Sequence, residues 1–443
     1  MKVFQNKKIF ITILSVIFSG IISAQNESQF STDEDSLSLE WIIQEVIQHH
    51  PIVQSAQEAL NKADAQIGLA NSGYYPNVSF SANINTVGPV PSLSIPDLGS
   101  FSLTPRNNVS GAFSVEQNIY DFGKTAHSVE LADESKKLTQ QSMEQVKQNL
   151  ALKAVQVYYS LDFLQEAIRI KDEQLKTLNE HLAFVSKRKE TGSATDYEIL
   201  STQVKISGIE SQKLDLQASL EIQLSALNSL LGQPAKVFHN VKQDMEVEKS
   251  SMTGNSMFSY AYQNRNEMII AKEKEQLAAM RVEQVKTQNN PSLYFIANGG
   301  AKNGFVPDIK RIRANYAVGL GVSIPIFDGT REKYKVLEAQ SAVETSTLET
   351  EITRRNISSE VVENETNLKT ATKKINQAKL QLKQAEKALS LANVSYESGV
   401  ITNLDLLDAT TAVSESRLLL LKSQIDYVVN IYRLNASLGE KLY

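Results

Sequence analysis

The sequence predicts an α+β membrane protein whose short amphipathic strands join those of other chains to close one β-barrel, continued by long coiled-coil helices. Three observations predict it. The chain repeats itself at an offset of about 207 residues, two stretches of about 67 residues carry heptad stripes, and four short segments alternate apolar with small or polar residues.

The N-terminus reads as an export signal over residues 1–24. Lys2, Lys7 and Lys8 precede the apolar run Ile9–Ile22, too short to span a bilayer comfortably, and Ala24 offers a small residue for cleavage. The competing reading is an uncleaved anchor. No later segment has the roughly 20 apolar residues of a spanning helix. The formal net charge of −5 becomes −8 once those three lysines, unbalanced by any acid, are removed. Such a chain has no electrostatic basis for binding nucleic acid. With no cysteine, disulfides, thiolate metal sites and a lipid-modified N-terminal cysteine are excluded, so any hold on a membrane comes from the fold.

A length of 443 residues suggests several domains, but the repeat argues for one interleaved body. Ile119-Tyr120-Asp121-Phe122-Gly123 is echoed by Ile326-Phe327-Asp328-Gly329, Thr191-Gly192 by Ser398-Gly399, and Leu231-Gly232 by Leu438-Gly439. Each copy reads helix, strand pair, very long helix, short break, helix. The first repeat is placed at 25–232, an irregular linker at 233–256 and the second repeat at 257–443. Helices are expected over about 37–72, 124–190 and 196–231, then 257–288, 331–397 and 403–437.

A rod of 67 residues is about 100 Å long and needs a partner along its length. In the second copy Leu368, Ala371, Ile375, Ala378, Leu382, Ala385, Leu389 and Ala392 fall 3-4-3-4-3-4-3 apart. In the first, Leu161, Leu164, Ile168, Leu175, Leu178, Leu182 and Val185 hold the same register, with Lys171 interrupting it. Such a stripe buries only against another helix. The shorter helices sum to the long rod's length, so two short helices beside one long one is the simplest packing.

Val78, Phe80, Ala82 and Ile84 alternate with Asn77, Ser79, Ser81 and Asn83. Val109, Gly111, Phe113 and Val115 form a second apolar row, and Tyr316, Val318, Leu320, Val322 and Ile324 another, while 292–301 alternates less cleanly. The hairpins are expected at about 77–118 and 292–325. Alternating segments of about ten residues are the mark of transmembrane strands, although a soluble sheet with one wet face alternates too. Lipid tolerates no open sheet edge, and four strands cannot close a barrel. Strands from two chains give eight and leave a filled interior; strands from three give twelve and an open lumen. Small, polar inward positions favour three, while arithmetic leaves the dimer open. The proline-bearing loop 88–107 reads as extended and exposed, hence extracellular, with the helices on the periplasmic side. Tyr74, Tyr75, Tyr120, Phe122 and Phe327 are expected in an interfacial aromatic belt.

Ser395-Tyr396-Glu397-Ser398-Gly399, Asp405-Leu406-Leu407-Asp408-Ala409-Thr410-Thr411 and Asn435-Ala436-Ser437-Leu438-Gly439 resemble the TolC-like outer membrane efflux proteins. Arg188-Lys189-Glu190-Thr191-Gly192, and Pro51 with the helix leading to Tyr75-Pro76, extend the resemblance over nearly the whole mature chain. The resemblance implies a homotrimer with a twelve-stranded barrel in outer-membrane lipid and a twelve-helix tunnel in the periplasm. It further implies docking of a periplasmic adaptor and an inner-membrane efflux pump or ABC exporter, as in tripartite efflux or type I secretion. Such a duct is passive: no enzyme, no cofactor.

The resemblance also implies that the turns 191–195 and 398–402 are periplasmic tips, with Thr191, Gly192, Thr195, Ser398, Gly399 and Thr402 in adaptor contact. Asp405 and Asp408 match acidic pore rings, where crowding is expected to raise their pKa values and favour cations. Tyr396 and Glu198 match a hydrogen-bonded pair that holds the closed state. Ile401 stands where the family pattern has arginine, so a salt-bridge lock lacks that member.

Plainer roles compete at these positions. Thr195/Glu198 and Thr402/Asp405 have capping-box spacing, and Gly192 and Gly399 suit helix stops. Asp408 is outside any cap and otherwise reads as a solvated coiled-coil position. His49, His50, His127, His181 and His239 have no metal or triad spacing and are expected on the solvated surface. A trimeric surface adhesin is the alternative function; hairpins about 200 residues apart, each followed by helices, weigh against it.

Overall fold

The computed structural model describes residues 37–97, 99–235, 237, 239–242, 252 and 254–443. The expected signal at 1–24, residues 25–36 and most of the linker core lie outside the described residues. The element order is α1 (Leu39–His49), α2 (Pro51–Asn71), a 3₁₀ turn (Ser72–Tyr74), β1 (Asn77–Thr86), β2 (Ser92–Ile95), β3 (Gly99–Ser102), β4 (Asn107–Tyr120), α3 (Lys124–Glu190) and α4 (Asp196–Leu231). It continues with α5 (Asn255–Asn264), α6 (Asn266–Thr287), β5 (Ser292–Lys302), β6 (Arg313–Ser323), α7 (Arg331–Glu397) and α8 (Asn403–Leu438).

The two long helices have 67 residues each and the two that follow them 36 each. Asp121 and Asp328, at equivalent positions, each accept the backbone N–H four residues on, at 2.8 Å from Thr125 and from Glu332. Each thereby satisfies one of the free donors at the start of a long helix. Against Asp121, burial pushes the carboxyl pKa up, but hydrogen bonds from Thr125 and Gly123 outweigh it and the net shift is downward. Helices α2 and α4 lie along α3, and α6 and α8 along α7; α3 also packs on α6 and α8, joining the copies. All eight residues of the α7 heptad stripe are buried or half-buried. Lys171, the interruption in α3, is buried at 4% exposure. Its ammonium donates to Gln212 on α4 at 2.9 Å, and burial lowers its pKa.

The single helices expected over 37–72 and 257–288 are each two helices. His50 breaks the first, at φ −68° and ψ 130°, because Pro51 disfavours helical geometry before it and supplies no N–H. Arg265 breaks the second with the same angles, −69° and 129°, and no proline follows. Here the tertiary structure sets the break. Arg265 pairs with Glu267 at 3.0 Å and Glu360 at 2.5 Å, and Gly439 presses against the Asn264–Arg265 peptide. Both breaks turn a short helix onto the bundle. Ile42 and Val46 of α1 pack with Ala151, Val155 and Tyr158 of α3, and Met257 and Ala261 of α5 with Ile357, Val361 and Leu438. Each fully buried Ile or Val stabilises by about 1.5–3 kcal/mol. The linker contributes one parallel bridge, Leu37 to Val241, and Tyr158 donates to the Lys242 carbonyl at 2.5 Å.

The strands form one antiparallel sheet in the order β1-β4-β5-β6, so the two hairpins, far apart in sequence, lie side by side. Pairing Phe80 with Phe113, Phe113 with Gly299 and Gly299 with Tyr316 aligns the strands. By alternation, one face carries Val78, Phe80, Ile84, Val109, Phe113, Val115, Leu293, Phe295, Val318, Leu320 and Val322. The opposite face carries mainly Ser, Asn, Gly and Ala, together with Glu116, Ile296, Lys302 and Arg313, and the Tyr294 ring is seated against Gly321. That register resolves the irregular alternation of β5. The apolar face is uncovered: Ile84 is 81% and Tyr316 86% exposed. Among the described residues β1 and β6 pair on one side only.

The loop expected to be extended holds a second ribbon, β2–β3. Leu93 pairs with Phe101, and Ser92, Ser94, Ser100 and Ser102 occupy the other face. At the opposite end of the sheet Tyr74, Tyr75, Tyr120, Phe122 and Phe327 are all exposed.

Candidate functional site: the helix tips

Both long helices end in the same turn. Gly192 and Gly399 each take φ +75°, which a side chain resists. The N–H of Gly192 donates to Lys189 (2.9 Å) and that of Ser193 to Arg188 (2.8 Å); Gly399 donates to Tyr396 (3.0 Å) and Val400 to Ser395 (2.8 Å). This pair of bonds is the Schellman stop. Thr191 and Ser398 are the last half-helical residues, and their hydroxyls bond back to Arg188 and Val394.

Both following helices begin with a capping box. Thr195 Oγ1 accepts from Glu198 N–H at 3.3 Å, and the Glu198 carboxylate accepts from Thr195 N–H at 3.3 Å. Thr402 and Asp405 repeat this at 3.3 and 2.9 Å. Asp is long enough to close the box.

The turns bring the four helix ends together. Tyr396 on α7, 5% exposed, donates its hydroxyl to Glu198 Oε2 on α4 at 2.8 Å. Burial, then the Glu198 carboxylate, pushes the phenol up to about 12, against the opposing pull of Arg188. The Arg188 guanidinium on α3 lies 5.4 Å from the Tyr396 ring and 5.8 Å from that of Phe184. Asn403, buried at the start of α8, donates to the Glu198 carbonyl, Ser201 Oγ and Thr202 Oγ1, each at 3.2 Å. His181 Nε2 on α3 donates to Asn403 Oδ1 at 2.6 Å. Below the knot Leu178, Ile206, Ile209 and Leu407 form a small core. A cavity of about 440 Å³ opens between Arg188, Glu198, Tyr396 and Ile401.

Asp405 is exposed and hydrogen-bonded by the hydroxyl and N–H of Thr402, which hold its carboxyl below its ordinary value. Within one chain the cap sets the shift, because it donates to the charged form; the expected rise belongs to rings formed by several chains. Asp408 stands one turn further along the exposed side of α8, where Lys205 of α4 approaches to 3.4 Å.

Three residues of this knot were not singled out from sequence. Asn403 read only as a spacer inside the capping box, Arg188 only as part of the resemblance, and His181 as solvated surface. The solvated expectation also fails for His239, whose Nε2 bonds Asn228 and Gln233 at 3.0 and 2.8 Å, and for His50, whose ring caps α2. His50 is marked only by the Pro51 that follows it; no local pattern marks the others, since their partners lie on other helices or across irregular turns.

The outer membrane efflux protein profile matches residues 42–233 and 258–440. The chain is 19% identical over 446 residues to Outer membrane protein TolC of Salmonella enteritidis, covering 98% of this chain and 87% of that protein. It is 21% identical over 296 residues to Alkaline protease secretion protein AprF of Pseudomonas aeruginosa, covering 66% and 62%. The crystal structure of the outer membrane protein VceC from Vibrio cholerae superposes with a TM-score of 0.75 at 19% identity, covering 91% of this chain and 97% of that one. With the same architecture, and a family match spanning both copies of the repeat, the chain belongs to the outer membrane efflux protein family.

Proposed function

We propose that three copies of this chain join their sheets into one twelve-stranded barrel in the outer membrane, continued into the periplasm by a tunnel of twelve helices. The assembly is a passive exit duct, to which an inner-membrane pump or ABC exporter and a periplasmic adaptor deliver cargo for efflux or type I secretion. The observation that carries this reading is the four-stranded sheet with an uncovered apolar face and two open edges, β1 and β6. In lipid each unpaired backbone group costs several kcal/mol, so β1 of one protomer must pair with β6 of the next. The fold class is thus completed only by assembly, with residues 25–232 and 257–443 as its two structural repeats.

The gate is assigned to the helix tips. Tyr396 and Glu198 tie α7 to α4 in the closed state, and Asp405 and Asp408, repeated by threefold symmetry, form two acidic rings that attract cations. Thr191, Gly192, Thr195, Ser398, Gly399 and Thr402 present the tip turns to the adaptor. Partners open the duct by rearranging these turns; no bond chemistry is involved.

Native mass spectrometry of the purified protein in detergent tests the assembly. Three chains per particle are expected, and a stable monomer would overturn the joined barrel. The adhesin alternative is separated by planar-bilayer recording, in which only the duct conducts.

A further inference from the structure

The four barrel strands contain three charged residues, Glu116, Lys302 and Arg313. By the register all three lie on the small, polar face. Glu116 is opposite Ile296, six residues before Lys302 and therefore roughly 20 Å closer to the helices. Lys302 and Arg313 are direct cross-strand partners at the far end. Like charges so paired destabilise a sheet unless something neutralises them. Among the described residues none of their ion pairs is with a carboxylate of this chain. Lys302 Nζ instead lies 5.3 Å from the Phe305 ring, and Arg313 donates to the Val306 carbonyl at 3.3 Å. The loop above adds exposed Lys310 and Arg311; its one acid, Asp308, accepts the Lys310 backbone N–H at 3.2 Å. Residues 302–313 thus hold four cations and one acid in a chain whose net charge is −5.

We propose that this end of the duct is an anion-binding collar, formed by Lys302, Arg313, Lys310 and Arg311 of each protomer, for polyphosphorylated anions. The proposal rests on the joined barrel, which brings three copies of the cluster around one mouth. Twelve cations and three Asp308 carboxylates would then surround the opening, with Glu116 set further in toward the helices, and a ligand bearing several phosphates can engage more than one protomer. A soluble polyphosphate and the phosphates of an outer-leaflet glycolipid share this chemistry.

The test records single trimers in a planar phospholipid bilayer with sodium tripolyphosphate added to one side at a time. Block is expected from the loop side and to weaken with salt, as exposed charge interactions do. The double variant Lys302→Gln, Arg313→Gln should need roughly tenfold more tripolyphosphate. Lys310→Gln with Arg311→Gln, outside the strand ladder, should shift block in the same direction and serves if the first variant fails to assemble. Equal block from both sides, or unchanged block in both variants, overturns the collar while leaving the duct intact; a chain that never conducts overturns both. Repeating the measurement with lipid A in the loop-side leaflet distinguishes the sources. Block abolished by lipid A supports the collar with the glycolipid as occupant; block retained supports it with a soluble anion.

Discussion

Glu198 divides its carboxylate between two tasks: Oε1 closes the α4 capping box on Thr195, and Oε2 accepts the hydroxyl of Tyr396, 198 residues away on α7, at 2.8 Å. The residue that starts one helix therefore also ties down the end of another. Helix capping and the link between two helices share one side chain.

Removing the Tyr396 hydroxyl should loosen the tip and leave the cap intact. Tyr396→Phe deletes a hydrogen bond to a charged acceptor, worth about 2 kcal/mol, and should shift the closed–open balance about tenfold or more. Single-channel recording would show more frequent or larger openings. The phenol's folded pKa is raised to about 12 from an ordinary 10. Its contribution is complete below pH 10 and is lost as pH rises toward 12, so this link should not gate between pH 5 and 9. Asn403→Ala should be more damaging to the fold, by about 2–3 kcal/mol, since it removes the buried amide that ties His181 on α3 to the start of α4.

Changing Asp405 and Asp408 together to Ala tests the proposed acidic rings. Block by multivalent cations added from the tip side should weaken and conductance rise. Asp408→Ala alone also releases Lys205, which then leaves a positive charge near the mouth. Unchanged cation block in the double variant would remove both residues from the lumen.

Gly232 and Gly439 are the same position in the two copies, and the structure predicts unequal costs. Both have positive φ, +69° and +89°. A methyl at Gly232 meets open space, so Gly232→Ala should cost about 1 kcal/mol of backbone strain. A methyl at Gly439 would sit 2.7 Å from the Arg265 nitrogen and the Asn264 carbonyl carbon, so Gly439→Ala should cost about 3 kcal/mol or more. Thermal melting followed by helical circular dichroism measures both.

Glu144 gives the fold an acid-sensitive seam. Burial raises its carboxyl, but hydrogen bonds from Lys147, Tyr443 and Lys441 outweigh this and bring it down to about 2 from 4.5. A depressed pKa stabilises the fold above 4.5, and that stability is lost as pH falls toward 2. Roughly 3 kcal/mol is at stake. Hydrogen exchange of residues 440–443 should rise over that window in the wild type and be already fast at pH 7 in Glu144→Gln.

Much of this molecule is written locally. The long helices, their glycine stops and both capping boxes follow from periodicity and from residues within five positions of one another. The apolar face of the sheet follows from alternation. The sequence therefore determined the long helices, the sheet strands and their apolar faces, but not the split of two shorter helices or the β2–β3 ribbon. The tertiary structure decided what depends on distant neighbours. It breaks a helix at Arg265 without a proline, because Gly439 and Glu360 hold that peptide from other helices. It brings Asn403 and His181 into the tip knot from helices 222 residues apart in sequence. It lowers the Asp405 pKa through the Thr402 cap, and it sets Lys302 against Arg313. Periodicity reports which side of an element is apolar; only packing specifies which side chains meet, because hydrogen bonds and charges act over a few ångströms and not along the chain.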